Sequence, residues 1–151
     1  DYTDSHIKSE LDKKDIKYHK LNEVELIEKT SEEIAKGNVV GWFQGRMEWG
    51  PRALGNRSIL CHPGKKDMKD ILNSRFKHRE SFRPFAPSVL EEFQSEWFEG
   101  DFFNPYMSSL ANVRLEKRKI IPAVTHFDNT ARLQTVNKNY NLRYSNLLNH
   151  F

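Results

Sequence analysis

Arginines set among glycines are the first residues of this sequence to suggest chemistry. The stretch "GRMEWGPRALGNRS", residues 45–58, places Arg46, Arg52 and Arg57 on a segment too broken by glycine and proline for a helix interior and too charged for a core strand. Gly45, Gly50 and Gly55 recur every five residues and let the backbone come close to a ligand. A loop leaving a strand can aim successive N–H groups at an anion. The forked donors of a guanidinium match phosphate or carboxylate oxygens. The segment is neither a Walker loop, which needs Gly-Lys-Ser/Thr, nor a GxGxxG turn. Glu48 offers one of the arginines a partner. On spacing alone a second reading stays open, in which local acids and loop carbonyls satisfy all three.

Two further clusters carry charge. In "NSRFKHRESFRPFAPSV", Lys77, Arg79 and Arg83 fall within seven residues, with Glu80 able to neutralise one of them. Cations crowded in this way repel one another unless anions compensate. Phe82 and Phe85 supply an apolar flank that strengthens a phosphate contact by lowering the local dielectric. A helix end explains Lys77 and Arg79 as complements to its dipole, but does not explain Arg83. In "THFDNTARLQT", alternation puts His126, Asp128, Arg132 and Gln134 on one face of a strand pair or hairpin turning at Asp128-Asn129. His126 and Asp128 lack a third metal ligand and read as hairpin residues, so no metal site is expected. Arg132, on an otherwise apolar strand, needs an anion.

The elements that must position these groups follow from the pattern around them. A short helix is expected at "TDSHIKSELDKKD", capped at Thr3 or Asp4, and a strand at "IKYHKL". "EVELIEKTSEEIAKG" predicts an amphipathic helix ending at Gly37, and "NVVGWF" a buried strand that delivers the chain into the glycine loop. "RSILCH" predicts a strand stopped by Pro63-Gly64. "KDMKDILNSRF" predicts a helix with Met68, Ile71, Leu72 and Phe76 on one face. "FRPFAPSVL" reads as a proline-interrupted strand and "EEFQSEWF" as a short helix. "YMSSLANVR", "IIPAVTHF" and "TARLQTV" read as strands, and "NLRYSNLLNHF" as a helix. Trp42, Phe43, Trp97, Phe98, Phe102 and Phe103 read as core rather than a base-stacking platform, and Cys61 as a buried strand residue. Without regular βαβ alternation, this order implies a mixed α+β or complex α/β domain rather than a Rossmann sheet.

Composition narrows the class. A chain of 151 residues with 37% hydrophobic and 30% charged side chains, and a mean hydropathy of -0.77, describes one polar globular domain. It contains no apolar run of membrane-spanning length, and its first residues do not resemble a signal peptide. A cytoplasmic location is the simplest expectation. The single cysteine excludes an internal disulfide. The net charge is only +3, yet residues 45–85 carry ten basic side chains against four acidic ones, pointing to an anionic partner.

"GWFQGRMEWGPRALGNRSIL", "KHRESFRPFAPSV" and "HFDNTARLQTV", in this order, resemble the C-terminal domain of the nodulation- and tobramycin-type O-carbamoyltransferase family. The resemblance runs from "YTDSHI" to the last residue. Where the family has a Val-Asp-Gly turn this chain has Phe-Asp-Asn, and Asn129 tolerates the same left-handed backbone. The resemblance implies a YrdC-like twisted open α/β sheet with flanking helices. It also implies that residues 1–151 are a fragment, with an N-terminal actin-like metal domain before it and an Asn-Thr-Ser-Phe-Asn segment after it.

The resemblance further implies binding of carbamoyl phosphate and ATP, with magnesium accompanying the nucleotide. Carbamoyl adenylate forms here and passes to the N-terminal domain, the expected partner and site of the family's own metal. Lys77, Arg83 and Arg132 match the family's reactive cations. Arg79 completes a Lys-x-Arg pair, and Arg52 matches the Gly-Pro-Arg turn, with Arg46, Arg57, Gly50 and Gly55 around it. Two other classes compete. An RNA-binding module would spread lysines and exposed aromatics over a wide patch, so nucleic acid is not the expected partner. A non-catalytic docking module would not need to retain Lys77, Arg83 and Arg132.

Overall fold

A computed structural model describes residues 2–101 and 103–151. Phe102, expected in the core, lies outside the described residues. Helix α1 (Asp4–Lys13) starts where Thr3 accepts the amide of His6 at 3.3 Å, and none of its residues is buried. Helix α2 (Glu23–Lys36) opens on a reciprocal cap, in which Asn22 accepts the Glu25 amide at 3.0 Å and the Glu25 carboxylate accepts the Asn22 amide at 2.9 Å. It ends at Gly37, whose φ of 93° suits the left-handed turn. Ile27, Thr30, Ser31 and Ile34 form its buried stripe.

Strands β1 (Val40–Phe43) and β2 (Arg57–Leu60) pair antiparallel, and the glycine loop fills the gap between them. Helix α3 (Met68–Ile71) widens into a π turn over Leu72–Phe76. Strand β3 (Ser88–Leu90) leads into a 3₁₀ turn (Glu91–Phe93) and the short helix α4 (Gln94–Trp97). Strands β4 (Ala111–Asn112) and β5 (Thr130–Ala131) pair antiparallel, while β6 (Gln134–Val136) lies parallel to β3 with Ser88 opposite Gln134. Helix α5 (Leu142–His150) closes the described chain. The class is the expected mixed α+β, with the strands arranged as three two-stranded ladders among the described residues.

Three apolar clusters hold these pieces together. One gathers Phe98, Val113, Val124 and Leu133 around β4 and β5. A second packs Ile27 of α2, Trp42 of β1 and Tyr144 and Leu147 of α5. The third sets Met68 and Leu72 against Ala123. Helix α5 is fastened to α2 at both ends, by Arg143 donating two bonds of 2.7 Å to Glu23 and by a 2.7 Å contact between Ser31 and His150.

Several expectations are corrected. "IKYHKL" forms no strand, because its alternating side chains meet no partner edge, and Ile16 and Tyr18 stay exposed. "IIPAVTHF" folds as turns: Ile121 donates to Lys117 and Val124 to Ile121, which buries Ile121, Ala123 and Val124 without a ladder and leaves Ile120 and Phe127 exposed. A short apolar run cannot tell a strand from a buried turn. "YMSSLANVR" is strand only at Ala111–Asn112. Phe43 and Phe103, expected in the core, are exposed, whereas Trp42 and Phe98 are buried. No helix among the described residues is long and apolar enough to cross a membrane.

Candidate functional site

The glycine loop is held by its single acid. One oxygen of Glu48 accepts the amides of Leu54, Asn56 and Arg57 at 2.9, 2.8 and 3.0 Å. Burial alone pushes this carboxyl up, but the three amides outweigh it and hold it below its ordinary value. Glu48 therefore organises backbone instead of pairing an arginine. Arg57, placed among the ligand-binding residues by its motif, spends its guanidinium on the loop. It donates to the carbonyls of Gln44 at 2.6 Å, Asn56 at 2.9 Å and Gly45 at 3.1 Å, and lies 3.5 Å from the ring centre of Phe43. Arg46 is exposed, and its carbonyl accepts from Asn56. Gly50 (φ 115°) stands in open space, while Gly55 (φ 101°) lets the Tyr144 ring pack where a side chain would otherwise sit.

With the loop fixed, Arg52 faces a pocket of about 220 Å³ that Lys77, Arg79 and Arg132 also line. Four cations from three distant motifs thus converge, and among the described residues no carboxylate lines the pocket with them. The π turn after α3 delivers Lys77 and Arg79, in keeping with the frequent use of such turns at functional sites. Arg79 donates its Nε to Asn73 at 2.7 Å, and its guanidinium lies 4.9 Å from the Phe85 ring centre. Arg132 projects between β5 and β6. Burial lowers the guanidinium pKa of Arg132, and the charges of Arg52 and Arg79 lower it further. Burial likewise lowers that of Arg79, with Arg83 adding to the effect and Glu80 opposing it. The Nε atoms of Arg52 and Arg132 are buried without a hydrogen-bond partner. An orphaned buried donor is costly unless an acceptor meets it.

Arg83 stands apart from this group. Its side chain is half-exposed and lies 3.9 Å from Glu80, while its carbonyl accepts the Asn73 amide at 2.9 Å. The wall beneath the cations was harder to foresee. Tyr144 donates to Ser88 at 2.8 Å, Ser88 to Gln134 at 3.1 Å, and Gln134 to the Leu54 carbonyl at 2.9 Å. This relay ties the Arg52 loop to the strand that follows Arg132. Burial pushes the Tyr144 phenol up to about 12, so it remains a donor. Asn73, Ser88 and Tyr144 carry no motif. The available signal was an asparagine and a tyrosine at buried positions of amphipathic helices.

The third cluster resolves as a turn. Asn129 adopts φ 65°, the left-handed backbone expected of it. Asp128 accepts the amide of Thr130 at 3.0 Å and its hydroxyl at 2.7 Å, and these bonds lower the carboxyl pKa. The Thr130 oxygen, its proton given to Asp128, accepts from His126 Nδ1 at 3.0 Å. Burial lowers the His126 pKa, with Asp128 opposing and Arg132 and Lys69 adding to the effect. Among the described residues no three His, Cys, Asp or Glu side chains gather as a metal site. Cys61 is partly buried just past β2, and burial raises its thiol to about 11, away from reactivity.

The chain is similar to several known proteins. The nodulation protein NolNO of Sinorhizobium fredii is 52% identical over 128 residues, which cover 82% of this chain and 18% of that protein. The nodulation protein NolO of Bradyrhizobium diazoefficiens is 51% identical over 121 residues, covering 78% of this chain and 22% of that one. The 3'-hydroxymethylcephem-O-carbamoyltransferase of Streptomyces clavuligerus is 44% identical over 121 residues, covering 80% and 23%. The chain thus spans about a fifth of the length of these relatives. A family model described as the carbamoyltransferase C-terminus matches residues 31–151, a span that contains every cation of the pocket, and the chain belongs to that family.

Proposed function

We propose that this domain binds carbamoyl phosphate and ATP among Arg52, Lys77, Arg79 and Arg132 and forms carbamoyl adenylate there. The observation that carries the reading is the pair of buried, unpartnered Nε donors of Arg52 and Arg132 in a pocket that, among the described residues, is lined by four cations and no acid. Such a wall suits the polyphosphate and the charge that grows at the α-phosphorus in the transition state. Confinement of the cations to about 220 Å³ favours a small anion over an RNA strand, which needs a wide track.

In balanced form, carbamoyl phosphate, ATP and water give carbamoyl adenylate, pyrophosphate and phosphate. Water takes the phosphoryl group of carbamoyl phosphate, which releases phosphate and leaves carbamate; a carbamate oxygen then bonds to the α-phosphorus as the bond to pyrophosphate breaks. Magnesium would arrive with the nucleotide, whose phosphate oxygens are the hard ligands it prefers. In the longer protein, an acceptor hydroxyl would then attack the carbamoyl carbon and release AMP. Transfer to oxygen is what the name of the Streptomyces relative states for that protein.

The test is ATP–pyrophosphate exchange by the full-length protein with and without carbamoyl phosphate. Exchange that depends on carbamoyl phosphate and collapses in Arg132→Ala supports the reading. Exchange indifferent to carbamoyl phosphate or to Arg132 rules it out.

A further inference from the structure

The guanidinium groups of the cation pocket are aimed in two ways. Arg79 is held by a side chain, since Asn73 accepts its Nε. Arg52 has no such hold: among the described residues its Nε is buried without a partner. Its direction depends on the backbone that carries it, which arrives through Gly50 at φ 115° and then through Pro51, whose ring fixes φ. A binding group keeps its aim only when a supporting shell of hydrogen bonds holds the element it stands on.

Both flanks of Arg52 have that support, and both supports end on the start of α5. After Arg52, the Leu54 carbonyl accepts from Gln134, Gln134 from Ser88, and Ser88 from the Tyr144 hydroxyl. Before it, the Arg46 carbonyl accepts from the Asn56 side chain, whose oxygen accepts from Gln44 and Asn141, each at 3.1 Å. Asn141 is the cap of α5, and its own oxygen takes the Tyr144 amide at 3.2 Å and the Gln44 side chain at 2.7 Å. The buried Tyr144 ring also fills the space beside Gly55. Asn141 and Tyr144 are about one helical turn apart, so a single face carries both supports.

We propose that Tyr144 and Asn141 are positioning residues for Arg52, holding its guanidinium in the pocket without bonding the ligand themselves. The inference rests on the cation pocket being the polyphosphate site. The path from helix to arginine is directional, because a hydroxyl has a single proton to give. The Tyr144 proton goes to the Ser88 oxygen, which leaves the Ser88 proton for Gln134. That bond fixes which end of the Gln134 amide faces Leu54. Loss of the first donor frees the Ser88 hydroxyl to rotate, and with it the amide and the loop.

Double-mutant cycles on the full-length protein test this, with calorimetric affinities for ATP and inorganic tripolyphosphate as the readout. Tyr144→Phe keeps the ring beside Gly55 and removes only the hydroxyl. Asn141→Ser keeps a cap for α5 and removes the reach to Asn56. Each is expected to weaken both ligands about fivefold, as the loss of one hydrogen bond would. In an Arg52→Ala background each should weaken them less than about twofold, because the group being positioned is gone. In an Arg79→Ala background the fivefold loss of about that size should persist, since Asn73 holds that cation independently. An undiminished loss in the Arg52→Ala background would trace the effect to the fold or to direct contact with the ligand, and overturns the proposal. Unchanged affinity in both variants, with Arg52→Ala itself weakening ATP, overturns it too and leaves the phosphate site standing. If Arg52→Ala, Arg79→Ala and Arg132→Ala all bind both ligands as the wild type does, the polyphosphate reading falls and takes this inference with it.

Discussion

Asn73 sets the direction of Arg79. Its Oδ1 accepts the guanidinium Nε at 2.7 Å, while its amide nitrogen reaches the carbonyls of Ser81 and Arg83 at 3.2 and 2.9 Å. One buried side chain thus fixes both a cation and the turn that follows it. Asn73→Ala is expected to release Arg79 and to cost about 2 kcal/mol of stability through two orphaned carbonyls. Asn73→Asp keeps the acceptor and loses the donors. Its carbamoyl-phosphate-dependent exchange should therefore exceed that of Asn73→Ala at matched fraction folded. Equal losses in the two would detach Arg79 from the effect.

Arg132 and Arg83 should separate in the same assay. Arg132→Lys keeps a positive charge but not the forked donors, and is expected to lose about a hundredfold in exchange rate with little change in thermal unfolding. Arg83 lies outside the pocket and acts on it through the charge felt by Arg79. Arg83→Ala is expected to lose less than about tenfold, and less still at high salt, where an exposed charge is screened. A larger loss in Arg83→Ala than in Arg132→Lys would mean that the turn closes over the ligand.

The parts of this site that could be read from sequence were those built from charge. Arg52, Lys77, Arg79 and Arg132 stand out because a cation among glycines or on an apolar strand conflicts with local propensity and needs a reason. Arg57 gave the same signal but bonds loop carbonyls, which spacing cannot show, and Arg83, read with Lys77 and Arg132, has its side chain exposed beside Glu80. Asn73, Ser88 and Gln134 act through partners 6 to 80 residues away in the chain, and no local pattern records such a pairing. Helix α2 was legible from periodicity and its Gly37 cap, and α5 from periodicity. The apolar run from Ile120 to Phe127 was not, since burial in turns and burial in a strand leave the same composition.

Gly55 faces two constraints at once, a φ of 101° and the Tyr144 ring occupying the space of a Cβ. Gly55→Ala is expected to lower stability by about 3 kcal/mol. It should also shift Tyr144 away from Ser88, which a change in tyrosine fluorescence at matched fraction folded would record. Gly50→Ala lacks the steric conflict and should cost less, about 1 kcal/mol, from its φ alone.

Glu48 predicts a pH dependence. Its folded pKa lies below the ordinary 4.5, so its contribution is complete above that value and is lost as the pH falls through the depressed one. Glu48→Gln retains an acceptor for the three amides but removes the charge. The difference in melting temperature between wild type and variant should be largest near neutral pH and shrink in acid. A constant difference across the range would trace the effect to packing.

The contacts that complete the pocket also set when it can exist. Gln134 reaches Leu54 across 80 residues, and Tyr144 reaches Ser88 across 56. Contacts of such separation form late, because the chain between them must first be ordered. During synthesis the arginine loop emerges long before the helix carrying Tyr144. The nascent protein therefore carries loose guanidinium groups past the polyanionic surface of the ribosome before it has a site to hold them.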